Sequence, residues 1–126
     1  MSERLDVIGI GNAMVDAIIP SNKEEVEKHE INRDSMNLID EELKNKLHQD
    51  YKIKEMIGGG SLGNSMFGIT SFGGNGSFIG KIKDDNIGDF LQKDMIREGL
   101  QFPLGFTSPD ISTGCCTIFV EEDGTR

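Results

Sequence analysis

A glycine-rich segment in the middle of the chain carries the side chains best suited to bind a ligand. It begins with Gly58, Gly59 and Gly60, and Asn64 follows in the first turn of a helix predicted to start at Ser61. Glycines let the backbone approach a ligand closely, and the exposed N–H groups of a helix start favour oxygen-rich ligands. Asn64 offers both a donor and an acceptor, which suits a pair of hydroxyl groups. On spacing alone, an ordinary strand-to-helix turn with a solvated Asn64 explains the segment equally well.

The second candidate for binding is Asp16, a carboxylate within an otherwise apolar run from Ala13 to Ile19. Burying an unpaired carboxylate is costly, so Asp16 needs either a partner or a place at the surface. A pair of substrate hydroxyl groups would serve as that partner. The residues alone leave both alternatives open.

Two other glycine-containing motifs do not meet the requirements of nucleotide-binding sites. The segment from Gly9 to Met14 begins like a dinucleotide-binding fingerprint, but Met14 occupies the place of the third glycine and no helix pattern follows. Gly80 and Lys81 resemble the end of a P-loop, yet Ile82 stands where a Ser or Thr is required. An oxidoreductase with a nicotinamide cofactor is therefore the third of our three functional hypotheses.

The histidines and cysteines show no pattern typical of catalysis or of a metal site. His29 and His48 fall in charged segments predicted to be exposed helices, and neither has a paired acid or nucleophile at a motif spacing. Cys115 and Cys116 are neighbours in a predicted strand, so they should point to opposite faces and remain reduced thiols. We predict no metal ligand.

The charge balance excludes several classes of partner. The chain has 22 acidic and 13 basic residues, for a formal net charge of −9. Binding to nucleic acid or to an anionic membrane needs clustered Lys and Arg, so we expect neither partner. The segment that starts at Met1 is charged, and no apolar run reaches the length of a signal peptide or a membrane span, which predicts a cytoplasmic protein.

Apolar periodicity and turn residues predict the elements that position these side chains. Ser21 with Glu24 has the spacing of a capping box for a short helix, Asp40 is predicted to cap the next helix, and Asp85 or Asn86 to cap the last. Strands are predicted at 5–11, 15–19, 36–39, 51–57, 77–82 and 113–121, and the longer helices at 40–50, 61–72 and 87–99.

Gly63 and Gly68 fall inside the helix 61–72, which suggests that something packs tightly against it.

The order of these elements predicts an α/β protein with two interleaved sheets. Strands 5–11 and 77–82 are joined through helices and favour a mostly parallel core flanked by helices, and the remaining strands favour a small separate sheet. So few core strands would leave an unpaired edge. That edge suggests that the chain is part of a larger protein.

Five segments follow, in order, the pattern of the PfkB, or ribokinase-like, family of carbohydrate and nucleoside kinases. They are Gly11–Asp16, Ser35–Asp40, Gly59–Asn64, Phe78–Gly88 and Thr113–Cys116. The sequence most resembles the N-terminal portion of the adenosine-kinase-like members. Met14 stands where ribokinase-like members tend to carry Asn, which favours a nucleoside over a free sugar.

The resemblance implies an acceptor site and a fold. Asp16, Gly59, Gly60 and Asn64 would bind hydroxyl groups of the small-molecule acceptor. Residues 1–126 would form the N-terminal portion of a ribokinase-like α/β fold, with the core at about 4–13 and 58–103. A β lid would lie within about 14–57 and 110–126, would close over the acceptor, and in some family members mediates a homodimer.

The same resemblance places catalysis elsewhere. The family's catalytic Asp and the part of the sheet that binds the nucleotide would follow Arg126, so no catalytic residue is predicted within this chain. ATP and Mg²⁺ would be bound mainly by that missing C-terminal part. We therefore expect the acceptor-binding half of an ATP-dependent kinase acting on a hydroxymethyl group of a nucleoside or sugar, and no turnover by the 126 residues alone. The alternative is a non-catalytic module for ligand binding or for dimerisation through the lid.

Overall fold

The computed structural model describes residues 4–126 and divides them into two compact units. Unit 1 consists of residues 4–15 and 57–115, and unit 2 consists of residues 16–56 and 116–126. The charged start of the chain, from Met1 to Glu3, lies outside the described residues. The chain passes from one unit to the other three times, each time within a β-strand.

The described residues form five strands and four helices. In chain order they are β1 (Val7–Ile10), β2 (Met14–Pro20), α1 (Lys23–Lys28), α2 (Glu41–Asp50), β3 (Glu55–Gly59), α3 (Ser61–Ser71), β4 (Gly76–Ile79), α4 (Asn86–Arg97) and β5 (Gly114–Val120). β1 pairs with β4, and the other three strands form a second sheet in the order β3-β2-β5.

Unit 1 is built on the parallel pair β1 and β4, as predicted. Their register runs from Val7 opposite Gly76 to Ile10 opposite Ile79. Helix α3 packs on this pair, and Met66 of α3 is 1% exposed. β4 is shorter than predicted, because Ile82 forms only an isolated bridge with Phe106.

Unit 2 has its own apolar core. Its buried members are Ile19, Val26, Leu47 and Phe119, and the half-buried side chains of Ile31, Leu43, Tyr51 and Ile53 pack against them.

The predicted cap of α2 is confirmed, since Asp40 accepts a hydrogen bond from the Leu43 N–H at 2.8 Å. The capping box of α1 lies one residue later than predicted, at Asn22 and Glu25, because the Ser21 N–H is bonded to Val120 at the end of the sheet.

The strand predicted at 36–39 is wrong. Met36 and Leu38 are 79% and 91% exposed, so these apolar side chains have no core to join. The Asn37 side chain donates to the carbonyl groups of Asn32 and Ser35, which gives the backbone a local alternative to strand pairing. The strand predicted at 51–57 is also displaced, because Tyr51 still bonds to Leu47 of α2 and strand geometry begins only at Glu55.

Tight packing against α3 is found, since a Cβ built on Gly9 would lie 2.9 Å from Met66 Sδ, but it does not involve the internal glycines of the helix. A Cβ atom built on Gly63 or Gly68 meets nothing within 4 Å. These two glycines therefore do not mark a close approach of another element.

Candidate acceptor site

The turn between β3 and α3 contains a glycine, Gly60, whose backbone conformation a residue with a side chain could adopt only with strain. Gly60 is the N-cap of α3 and has φ 80° and ψ 152°, a conformation that residues with a side chain rarely adopt. A Cβ on Gly58 would lie 2.9 Å from the Asp94 carboxylate and from the Phe67 ring. Position 60 therefore requires glycine for its backbone conformation, and a side chain at position 58 would force Asp94 or Phe67 to shift.

The backbone N–H groups at the start of α3 have no side-chain partner among the described residues. No side chain caps α3, and its first turn holds no acidic residue. The Asn64 N–H is bonded to the Gly60 carbonyl at 2.9 Å, which fixes the backbone, whereas the Asn64 side chain is exposed. An uncapped helix start favours an oxygen-rich or anionic group, and the Asn64 amide can donate and accept beside it.

The segment at residues 12–14 lies beside this turn within unit 1. A Cβ built on Gly60 would be 3.6 Å from the Asn12 carbonyl oxygen and 3.6 Å from Met14 Cβ. The Asn12 side chain is exposed and Met14 is half-buried. The glycine at position 60 therefore lets the turn come within contact distance of this segment.

Asp16 is half-buried in the middle of β2, in unit 2. Its neighbours in the strand, Val15 and Ala17, are both 0% exposed, so Asp16 lies on the opposite strand face from the buried side chains. Burial raises the pKa of the Asp16 carboxyl above its usual range. No described residue of unit 2 donates a hydrogen bond to it, so the carboxylate remains available as an acceptor.

The cysteines of β5 are half-buried and carry no disulfide. Burial raises the pKa of the Cys116 thiol, and the negative charge of Asp16 raises it further. A thiol with a raised pKa is mostly protonated at neutral pH and is a poor nucleophile. Cys116 therefore offers no reactive thiolate.

The structure thus places three of the four predicted acceptor residues in one turn. Gly59, Gly60 and Asn64 lie in unit 1, and Asp16 lies in unit 2. Sequence reasoning gave no role to Asn12, which the structure places beside the turn together with Met14. The position of Asn12 directly after Gly11 was the available signal.

The histidines differ from the exposed positions that the sequence predicted. His29 Nε2 lies 2.7 Å from the Tyr51 hydroxyl and His48 Nε2 lies 2.8 Å from Thr117 Oγ1, and both rings are half-buried. Burial lowers the pKa of His48, and the positive charge of Lys44 lowers it further. Both contacts are to neutral hydroxyl groups within unit 2, which is typical of structural histidines.

Among residues 4–126, no group of three or more His, Cys, Asp or Glu side chains is placed to hold a metal ion. None of the helices in the described part of the chain has the length and apolar character needed to cross a lipid bilayer.

Comparison with known proteins gives one family and several related structures. Residues 30–126 match the pfkB family of carbohydrate kinases. No curated protein sequence matches the chain.

The structural neighbours include sugar and nucleoside kinases. A probable sugar kinase from Rhizobium etli CFN 42 is 32% identical, with a TM-score of 0.81, and the match covers 98% of this chain and 37% of that one. An adenosine kinase from Sinorhizobium meliloti is 31% identical, with a TM-score of 0.79 and coverages of 98% and 38%. An adenosine kinase from Schistosoma mansoni, solved with adenosine, has a TM-score of 0.74 at 22% identity, with coverages of 90% and 35%, and supports the fold alone.

These matches confirm the predicted family resemblance and the predicted α/β ribokinase-like fold. The chain spans less than two fifths of the length of each of these three relatives.

Proposed function

Because the chain belongs to the pfkB family of carbohydrate kinases, we propose that it forms the acceptor-binding, N-terminal portion of an ATP-dependent kinase. The acceptor is a nucleoside similar to adenosine, or a sugar, and the phosphoryl group goes to its hydroxymethyl oxygen. The two neighbours above 30% identity, an adenosine kinase and a probable sugar kinase, support both acceptor classes. The apolar Met14 beside the Gly60 turn favours the nucleoside, because an apolar side chain suits a base better than a further hydroxyl group.

The observation that carries this proposal is the uncapped glycine turn with the exposed Asn64 at its edge. Gly59 and Gly60 let the acceptor approach the backbone, and the Asn64 amide donates to one hydroxyl oxygen and accepts from another. Asp16 accepts from an acceptor hydroxyl. Its lack of a donor within its own unit is the feature expected of a carboxylate kept for a ligand.

The described residues do not fit a complex of Mg²⁺ and ATP. They include no metal-binding cluster, and Ile82 follows Gly80 and Lys81 where a P-loop needs Ser or Thr. We therefore derive no phosphoryl-transfer step from these residues. We place ATP, Mg²⁺ and the catalytic base on polypeptide that follows this chain, and we expect no turnover from the 126 residues alone.

We assign the lid to unit 2. Unit 2 has an apolar core of its own, as a separate lid would need. A lid that closes over the acceptor would exclude water, whose attack on ATP would otherwise compete with transfer. A homodimer formed through the lid, and a location in the cytoplasm, complete the proposal.

The test is calorimetric binding of adenosine and ribose to the natural polypeptide that contains this chain. For Asp16→Asn we expect affinity to fall about tenfold to a hundredfold, since a hydrogen bond to a charged group contributes roughly 1.5–3 kcal/mol. Asp34→Asn is the matched control, because Asp34 is exposed and its φ of 57° suits Asn.

The same Asp16→Asn variant should be slightly more stable at neutral pH. The folded-state pKa of Asp16 is raised, so the charged carboxylate disfavours the folded state once the pH exceeds its unfolded pKa. Lower affinity together with a higher Tm is the pattern of a carboxylate held for a ligand. If the natural polypeptide binds neither adenosine nor ribose, the proposal is wrong. Binding without any ATP-dependent turnover would favour the non-catalytic module.

A further inference from the structure

A hydrogen-bond network joins three segments of unit 1 that are distant in sequence. Asp85 Oδ1 accepts from the Gly88 N–H at 2.7 Å and from the Thr113 hydroxyl at 2.8 Å, and Asp85 Oδ2 accepts from the Thr113 N–H at 3.0 Å. The Thr113 oxygen also accepts from the Lys83 N–H at 3.0 Å. We call Asp85 and Thr113 the bracket. It joins the loop after β4, the start of α4 and the residue that precedes β5.

The bracket does more than cap a helix. Asp40, the cap of α2, accepts one hydrogen bond from its own helix and none from another element, whereas both oxygens of Asp85 are bonded to Thr113. Thr113 is 2% exposed, so its hydroxyl and N–H depend on these partners. A Cβ on Gly88 would overlap the Lys83 carbonyl oxygen, which shows how closely the segments approach.

The residue after Thr113 connects the bracket to the proposed acceptor site. A Cβ built on Gly114 would lie 2.7 Å from the Ala13 carbonyl oxygen and 3.2 Å from Met14 Cγ. Met14 in turn lies next to Gly60 of the acceptor turn. The bracket, Gly114, Met14 and Gly60 thus form a continuous series of contacts inside unit 1.

We propose that Asp85 and Thr113 are positioning residues for the acceptor. They hold Gly114 against Ala13 and Met14, and Gly114 in turn fixes Met14 beside the turn at Gly60. The inference rests on the proposed function, because it assumes that this turn binds the acceptor. Neither bracket residue needs to touch the substrate.

Substitutions at position 113 separate positioning from general stability. Thr113→Val keeps the branched shape and removes the hydroxyl, and Thr113→Ser keeps the hydroxyl. In the natural polypeptide we expect Thr113→Val to raise the KM for adenosine about tenfold, with a smaller change in kcat, because the Lys83 N–H loses its hydrogen-bond partner and the site shifts to relieve this. Thr113→Ser should have a KM close to that of the natural protein.

A second pair of variants controls for loss of a helix cap. Asp85→Ala and Asp40→Ala each remove one cap hydrogen bond. The loss of the cap should lower the Tm of the two variants by similar amounts. Only Asp85→Ala should also raise the KM. Hydrogen exchange read by mass spectrometry should show faster exchange in peptides containing Gly114 and Met14 for Thr113→Val and Asp85→Ala, but not for Asp40→Ala.

The outcomes distinguish this inference from the proposed function. If the unmodified polypeptide binds adenosine and Thr113→Val leaves both KM and exchange at Gly114 unchanged, the bracket does not position the site and the inference is wrong, while the proposed function stands. If the unmodified polypeptide binds no acceptor, the proposed function fails and a positioning role fails with it. If Thr113→Val raises the KM and Thr113→Ser does not, both the inference and the proposed function are supported.

Discussion

The contacts inside unit 1 differ in kind from the contacts inside unit 2. Of the 16 glycines, only Gly124 lies in unit 2, so the other 15 belong to unit 1. At eight positions in unit 1, an added Cβ would come closer than 3.0 Å to a neighbouring atom; these are Gly9, Gly11, Gly58, Gly74, Gly76, Gly80, Gly88 and Gly114. At Gly80, Gly88 and Gly114 the close neighbour includes a backbone carbonyl oxygen, so glycine lets backbone approach backbone at these three positions. At the other five positions the close neighbour is a side-chain atom.

Unit 2, which has a single glycine, is held together by contacts between side chains. The Tyr51 ring packs edge-on against Phe119 and His29, with ring centroids 5.4 Å apart in each pair. Arg33 binds Glu121 through two hydrogen bonds of 2.7 and 2.6 Å. Close backbone approach tolerates no added atom, whereas a side-chain core adjusts in part to a change of shape. The contrast suggests that unit 1 fixes the geometry of the site and that unit 2 is the more adaptable part.

The sharpest test of this contrast is a glycine substitution in unit 1. Gly88→Ala would force its new methyl group into the Lys83 carbonyl and toward Thr113 Oγ1. We expect a loss of about 3 kcal/mol in the free energy of unfolding, since overpacking of a tight site costs 1–3 kcal/mol or more. Denaturant unfolding followed by circular dichroism measures it.

Gly68→Ala is the matched control for that substitution. Gly68 lies inside α3 and an added Cβ meets nothing within 4 Å. Alanine should therefore stabilise the chain by about 0.5–1 kcal/mol through its higher helix propensity. If both alanine variants lose the same stability, close backbone approach does not explain the glycines of unit 1.

A core substitution in unit 2 should have an effect of similar size. Leu47→Ala removes a side chain that is 1% exposed, and we expect a loss of about 3 kcal/mol, within the usual range for buried Leu→Ala. Leu38→Ala, at a position 91% exposed, should change stability by less than about 0.5 kcal/mol. Tyr51 is the single tyrosine of the 126 residues and there is no tryptophan, so tyrosine fluorescence reports on unit 2. An equal effect of the two variants would show that the cluster around Leu47 is not the core of this unit.

Sequence reasoning predicted unit 1 better than unit 2. The parallel pairing of β1 with β4 and the Asp85 cap followed from local signals, namely apolar β-branched runs and a capping residue. In unit 2 the segment at Met36 and Leu38 has the composition of a strand, but no partner strand or core is present to bury it. A strand depends on its neighbours more than a helix does, and a single sequence does not reveal them.

The candidate site shows the same limit. Gly59, Gly60 and Asn64 were predicted because a glycine turn before a helix is a local feature with a recognisable spacing. The contact of Met14 with Gly60 and Gly114 joins three segments far apart in the chain, and the bracket of Asp85 and Thr113 joins residues 28 apart. Such contacts are set by the tertiary fold, so the residues alone could not predict them.

The smallest expected effect is a pH dependence of unit 2 that arises from His48. Burial and Lys44 lower the pKa of the folded-state ring, so the unfolded chain takes up a proton first as the pH falls. Stability from His48 is therefore present above its ordinary pKa near 6.5 and is lost below it, because a charged ring must be held in a half-buried place beside a cation. The bond to Thr117 Oγ1 survives protonation, since a hydroxyl can accept as well as donate. We expect His48→Gln to melt with a weaker dependence on pH than the natural chain, by about 3 °C or less between pH 7.5 and pH 5.5, with Lys44→Gln in between. If His48→Gln and the natural chain lose stability in parallel, the acid sensitivity of unit 2 comes from its carboxylates.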